Sequence, residues 1–217
     1  MNLTIKRLVM TLSLLVGLAC ANPAIASIGL GLNAGLGVLP VPTMGADIFY
    51  DMGQITVGAH YAAGSGDFSD IADVGSADIS VEKLEADVSL MTIDARFFLI
   101  FGMNFFAGVG QRTVDFAYSL RDSSLGAEAN GTIETKSTIT KAGFGTMGRF
   151  GVFYIGFDLA AVHAAASGSA STSTTTNIPA AASELQNQLD DLQNFAENDV
   201  AKGTTVGVAI LSIGALL

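Results

Sequence analysis

The chain has no tryptophan, one cysteine and four prolines in 217 residues, and only ten lysines and arginines against twenty acidic residues. Each shortage excludes something. The single cysteine, Cys20, lies in a segment built like an export signal: Lys6 and Arg7, an apolar run from Leu8 to Ala19, then Ala24-Ile25-Ala26 before Ser27. Such a run is too short and wrongly flanked for a permanent membrane helix, and small residues mark the cleavage point. Cutting after Ala26 makes residues 1–26 a signal peptide and 27–217 the mature chain. It also removes the cysteine, and with it any disulfide, thiolate nucleophile or cysteine metal site. A rival reading lipidates Cys20 as the first residue of a lipoprotein, with Gly17 standing where such signals usually carry leucine.

The shortage of positive charge bears on partners. Residues 1–26 contain two basic and no acidic residues, which leaves eight basic against twenty acidic and a net charge of −12. Nucleic acid is excluded, because phosphate binding rests on lysine and arginine. Long hydrophobic runs are also missing beyond the signal. None reaches the roughly 18 apolar residues of a membrane helix: the run from Val206 to Leu217 is too short, and Asp158 interrupts another. Yet the chain is 50% hydrophobic, 14% charged and carries 25 glycines. An exported, oily chain without spanning helices points to a closed barrel, which satisfies every backbone group between strands.

Period-two alternation is what the sequence has in abundance. In Ile28-Gly29-Leu30-Gly31-Leu32-Asn33-Ala34-Gly35-Leu36 the even positions are apolar and the odd ones are Gly or Asn, the mark of a strand with one oily face. Similar segments follow at about 44–50, 54–62, 84–98, 102–118, 131–145, 150–163 and 203–217. Eight strands result. Tight connections are expected at Asp51-Met52-Gly53, Leu99-Ile100-Phe101 and Met147-Gly148-Arg149, and longer ones at 38–43, 63–83, 119–130 and 164–202. Short turns on the periplasmic side and long loops outside is the outer-membrane arrangement, and an even strand count places both termini in the periplasm. The fold class is therefore all-β: an eight-stranded antiparallel up-and-down transmembrane barrel.

The long loops differ in character. Residues 63–83, with Asp67, Asp70, Asp73 and Asp78, read as a solvated acidic loop; a divalent cation there is a weaker alternative, since the spacing matches no EF-hand. Ala164 to Thr176 reads as a small, polar, mobile stretch. After Pro179, Leu185, Leu189, Leu192 and Phe195 fall at helical spacing behind Ser183, with Gln186 placed for a capping box. A helix is expected at 183–198 in the last extracellular loop, its stripe against the barrel rim or serving as a lid.

Taken literally, the alternation turns Ile55, Val57 and Ala59 to lipid, then Met91, Ile93, Ala95 and Phe97, then Met103, Phe105, Ala107 and Val109, then Phe153, Ile155, Phe157 and Leu159. Tyr50 and Tyr61 suit the interfacial girdle. Asp47, His60, Asp94, Arg96, Arg112, Lys141 and Asp158 all take lumen phase, beside Asn33, Thr56, Thr92 and Asn104. Two layers of ion pairs are expected: Asp47, Asp94, Arg96 and Lys141 below, His60, Arg112 and Asp158 above. A barrel this narrow is filled by its side chains, and a buried charge without a partner costs several kcal/mol. Lumen glycines such as Gly108 and Gly156 give room for long side chains or serve curvature alone. The alternation wavers near Leu90 and beyond Val206. No residue is assigned to catalysis, to a metal or to a cofactor.

These features together resemble the small outer-membrane barrels of the OmpA transmembrane-domain and OmpX kind, over nearly all of 27–217. One departure is the ending Gly214-Ala215-Leu216-Leu217, where such strands often finish on an aromatic residue. No peptidoglycan-binding domain follows the barrel, so wall tethering is not expected. The resemblance implies outer-membrane lipid and lipopolysaccharide as surroundings, the barrel assembly machinery as inserting partner, and roles in envelope integrity, adhesion or slow solute passage. The leading expectation is a non-enzymatic envelope or surface protein with a lumen plugged by ion pairs. Alternatives are a narrow channel for ions or small solutes, and a lipid A-modifying enzyme using His163 with Ser167. The alternative fold is a soluble, lipocalin-like barrel with its oily face inward. N-terminal sequencing of the exported protein should begin Ser27-Ile28-Gly29; an acylated Cys20 at the N-terminus would contradict the cleavage site.

Overall fold

Alternate side chains of an extended chain point to opposite faces, so a chain that alternates for most of its length asks for a sheet with two unlike surfaces. The computed structural model describes residues 27–36, 41–69, 79–177 and 183–217. The expected signal peptide, and Asp70, Asp73 and Asp78 of the acidic loop, lie outside the described residues. The strands are β1 (Ser27–Leu36), β2 (Pro42–Asp51), β3 (Ile55–Asp67), β4 (Ile79–Phe98), β5 (Met103–Asp122), β6 (Ala127–Phe150), β7 (Phe153–Asn177) and β8 (Thr204–Leu216). Each pairs antiparallel with its neighbour, and β1 pairs with β8 from Gly29↔Leu216 to Leu36↔Val208. The ring is closed over its lower part through β1 and β8, while β7 beyond Ala165 pairs in the sheet with β6 alone. Between β7 and β8 lie the helix α1 (Ser183–Asn194) and a π-helical segment, Phe195–Ala201.

Both ends of the described chain meet at the short-turn end, where Ile28 and Leu217 exchange backbone hydrogen bonds of 3.2 and 2.8 Å. At the other end the wall is lopsided. β4 to β7 run 20 to 25 residues, while β1 and β2 have ten each. Much of what reads as loop in the sequence is therefore strand. The connection expected at 119–130 shrinks to Ser123–Gly126, whose turn Asp122 holds by accepting from Ser124 N at 2.9 Å and Leu125 N at 3.0 Å. The stretch Ala164 to Thr176, expected to be mobile, continues β7 and pairs along β6 as far as Asn177↔Glu128. Its serines, threonines and alanines show no contrast between faces, which is why the alternation is silent there. The turn expected at Met147–Arg149 lies later: β6 runs to Phe150, and Gly151, at φ +64°, makes the corner.

The two faces exchange character partway up the wall. Toward the short turns, β4 shows Phe97, Ala95, Ile93 and Met91 to the outside and Arg96, Asp94 and Thr92 to the inside. Above that level the outside carries Ser89, Asp87 and Glu85, and the inside Leu90, Val88 and Ala86. On β5 the change falls between Val109 and Gln111, outward, and between Arg112 and Val114, inward. Met91 pairs with Gln111 and Gln111 with Thr138, so neighbouring strands switch together. The lower tier has the inside-polar, outside-apolar pattern of a membrane barrel, and the upper tier has the opposite pattern of a water-soluble one. Asp87, Asp115 and Glu134 stand side by side on the upper outer wall, a row no bilayer interior would accommodate. Partial burial, then repulsion from Glu134 and Asp87, pushes the Asp115 carboxyl above its ordinary pKa.

The upper tier has an apolar core. Val88, Val114, Phe116, Tyr118, Leu120 and Ile133 face α1 across the concave side of β4–β6 and close on Leu185 and Leu189. The short strands leave that side open, and α1 with its π-helical extension fills it. A lysine introduced at Ile93, in the lower outer wall, should destabilise the barrel by about 2–4 kcal/mol, whereas Thr113→Lys, above the switch, should change it by less than about 0.5 kcal/mol. Urea unfolding in phospholipid vesicles measures both; equal costs at the two positions would contradict a wall of two tiers.

Candidate functional site

Strand register brings six lumen residues into one network. Asp47 of β2 pairs across to His60 of β3, and the two side chains meet at Nδ1···Oδ1 2.7 Å. The other ring nitrogen of His60 faces Asp94 Oδ1 at 3.0 Å. Asp94 and Lys141 are separated by Gly108, which pairs with both; a Cβ on Gly108 would sit 2.6 Å from that of Asp94. With that space left clear, Lys141 Nζ donates to Asp94 Oδ2 at 2.7 Å. Arg96 approaches Asp94 at 3.5 Å and grips Asp158 with two bonds, 2.6 and 2.9 Å. Such bidentate pairs fix geometry as well as charge. Asn33 donates to Asp47 at 2.6 Å, and the Phe106 ring lies between Arg96 and Lys141, 4.6 and 4.9 Å from its centroid.

His60 has a carboxylate at each nitrogen, and only the doubly protonated ring donates to both. In that form three cations, Arg96, Lys141 and His60, meet three carboxylates, Asp47, Asp94 and Asp158. The network balances.

The expected division into two layers is corrected. His60 and Asp158 belong with Asp47, Asp94, Arg96 and Lys141 in a single layer, while Arg112 stands above it with no carboxylate partner among the described residues. Its cross-strand neighbours are Leu90 and Ser137, so no acid is within reach. Arg112 turns instead to the end of the π-helical segment, donating to Val200 O, to Gly203 O at 3.4 Å and to Thr205 Oγ1 at 2.8 Å. Ser137 donates to Ala201 O at 2.6 Å. These carbonyls are the negative end of the helical dipole, and the wall clamps the plug there.

The apolar stripe is also revised at one position. Leu185 and Leu189 are buried in the core and Leu192 packs beside them. Phe195 is 40% exposed, touching Phe116 edge-on at 6.2 Å. The α-helix ends at Asn194 rather than continuing to 198, and the wider π turn moves Ala196 and Val200 into the places the α-helical repeat would have filled. Below the ion layer Phe49, Phe98, Met147 and Tyr154 pack together in the lumen, with Phe49 and Tyr154 edge-to-face at 5.0 Å. Arg149 stacks over Phe98 and pairs with Asp51 at 2.9 Å.

His163 is a residue that the alternation misplaces. Paired with Ser167 in the enzymatic alternative, it is 1% exposed inside the lumen, opposite Lys141. An extra residue at Leu159, where Gly145 pairs with Asp158 and Phe144 with Ala160, shifts the phase, so that Asp158 and His163 both point inward. Ser167 lies on the exposed outer wall; the two do not form a nucleophile and base. Among the described residues no group of three acids, histidines or cysteines is placed to hold a metal. Asp67 is tied into its own turn by Ser69, whose hydroxyl and amide hold its carboxyl below the ordinary range.

No protein-family model matches the sequence, and no curated protein does. Among solved structures, CarO2 of Acinetobacter baumannii matches 89% of this chain and 99% of its own at 13% identity, with a TM-score of 0.51. The fold is that of a small outer-membrane β-barrel. Ail of Yersinia pestis, solved with the heparin analogue sucrose octasulfate, matches 89% of this chain and 98% of its own at 12% identity and TM-score 0.46. A major outer membrane protein of Thermus thermophilus matches 88% and 99% at 13% identity and TM-score 0.45. At such identities the likeness is one of architecture.

Asp94 is the acceptor shared by three cations. Asp94→Ala should destabilise the barrel by about 3–5 kcal/mol, since it leaves buried charges unanswered, while Ser167→Ala on the outer wall should change it by less than about 0.5 kcal/mol. A small loss for Asp94→Ala in urea unfolding would show that the network is not what holds the lower lumen.

Proposed function

We propose that the protein is a closed, non-conducting and non-enzymatic barrel of the outer membrane, serving envelope integrity or surface interaction through the tier that stands above the bilayer. The observation that carries this reading is what occupies the lumen at three heights. Aromatic rings fill the lumen at the short-turn end, the ion network fills the middle, and α1 with its apolar core fills the upper tier. The space beside the network is a cavity of about 40 Å³, room for about three waters.

In this reading residues 1–26 are the signal peptide and 27–217 the mature barrel, inserted by the barrel assembly machinery. The short-turn end, where both described ends meet, faces the periplasm, and the tall polar wall of β4–β7 faces outward among the lipopolysaccharide headgroups. Its serines, threonines and carboxylates form the surface open to extracellular partners. The ion network and the clamp of Arg112 on α1 act as rigid filling, with no group poised to attack a substrate.

Single-channel recording in planar bilayers tests this directly. Folded protein should give no discrete current steps, and Arg112→Ala should loosen the plug yet leave the bilayer non-conducting, because the two lower seals persist. Regular steps from the folded wild type would overturn the closed-barrel reading in favour of a narrow channel.

A further inference from the structure

The cavity above the ion network is lined by polar groups whose hydrogen bonds are unspent. Thr92 and His163 are each 1% exposed, and neither Thr92 Oγ1 nor either ring nitrogen of His163 has a partner among the described residues. Both residues line the cavity, as do Lys141 and Ser212. Lys141 carries three N–H donors, of which one goes to Asp94. Its backbone pairs with that of His163 across β6 and β7, so the two side chains rise from adjacent positions. Unsatisfied polar groups at such depth are uncommon and ask for an explanation.

Charge gives the ligand its sign. With His60 donating to two carboxylates, the ion network is neutral, and Arg112 above it adds one positive charge that meets only carbonyls and a hydroxyl. Helix-end dipoles answer a full charge only in part. The lumen therefore carries an excess of positive charge, and the spare groups around the cavity can each turn a donor toward one ligand: two N–H of Lys141, the Thr92 hydroxyl, the Ser212 hydroxyl and one N–H of His163. Water supplies donors and acceptors in equal number; an anion supplies acceptors alone. Beside the apolar Val88, Leu90 and Ile210, the wall includes the carboxylates of Asp47 and Asp158, already engaged by Asn33 and His60 and by Arg96. Size sets the rest. A cavity of about 40 Å³ has room for about three waters, which admits a halide or another anion of very few atoms and excludes sugars, phosphate esters and peptides.

We propose that the barrel binds one small monovalent inorganic anion, of the size of chloride, between Lys141, Thr92 and His163 in the lumen. The anion completes the charge balance of the interior and takes up the donors that the protein leaves unpaired. This site is independent of whether the barrel acts at the cell surface, since it needs only the closed lumen.

Bromide is the probe. Crystals of the full barrel grown in sodium bromide should show an anomalous peak at hydrogen-bonding distance from Lys141 Nζ and Thr92 Oγ1. In detergent solution, replacing gluconate by bromide at constant ionic strength should raise the unfolding midpoint. Thr92→Val, which keeps the volume and removes one donor, should weaken the apparent bromide affinity by about tenfold or more. If that variant fails to fold, the anomalous map of the unaltered protein decides alone. Density in the cavity without anomalous signal, meaning ordered water only, would overturn the proposal, as would a midpoint indifferent to which anion is present.

Discussion

No water reaches the backbone inside a bilayer, so each N–H and C=O in the spanning region must find its partner within the protein. The β1–β8 ladder meets that demand by closing the sheet, and the other features follow from closure. Eight strands enclose a space only as wide as the side chains that fill it. Every residue of lumen phase must then pack or pair. In the lower tier they pair, around Asp94; below them aromatic rings pack. Gly108 shows how tight the fit is, since the meeting of Asp94 and Lys141 uses the space its missing side chain leaves.

A second demand acts on the same strands. β4 to β7 are longer than a bilayer needs, given that a tilted strand crosses in roughly 9–11 residues, and their upper parts carry the outer polarity of a wall in water. There the outer wall must be polar and the inner wall must be oily to have any core. The wall therefore inverts near Met91 and Gln111 without breaking a single strand. An oily concave face half open to solvent needs a cover, and α1 supplies it with Leu185 and Leu189. Arg112 lies at the boundary, where the polar interior below meets the apolar interior above, and it uses that position to clamp the end of the plug.

The lower tier was legible because lipid imposes one rule over a long stretch: Met91, Ile93, Ala95 and Phe97 alternate with Thr92, Asp94 and Arg96. The upper tier was not, because its rule is reversed. Across Leu90 the apolar residues change phase, which looks like a lapse in the alternation when it is a change of surroundings. The soluble-barrel pattern, oily side inward, describes the upper half of the very strands whose lower half excludes it. β7 beyond Ala164 hid for another reason: serine and threonine suit a water-facing strand and a loop equally well. His163 was lost to one extra residue at Leu159, and nothing in the local sequence announces a bulge. The partner of Arg112 was out of reach too, because a carbonyl at a helix end carries no side-chain signature.

That one continuous wall serves two surroundings can be read from a spin-label scan of the outward positions of β5. Labels at Met103, Phe105, Ala107, Val109, Gln111, Thr113, Asp115 and Ala117 would be compared for collision with oxygen, which concentrates in lipid, and with a water-soluble nickel complex. A wall of two tiers gives lipid-type accessibility up to Val109 and water-type accessibility from Gln111 onward, with the crossover between them. Lipid-type accessibility persisting to Asp115 would contradict it.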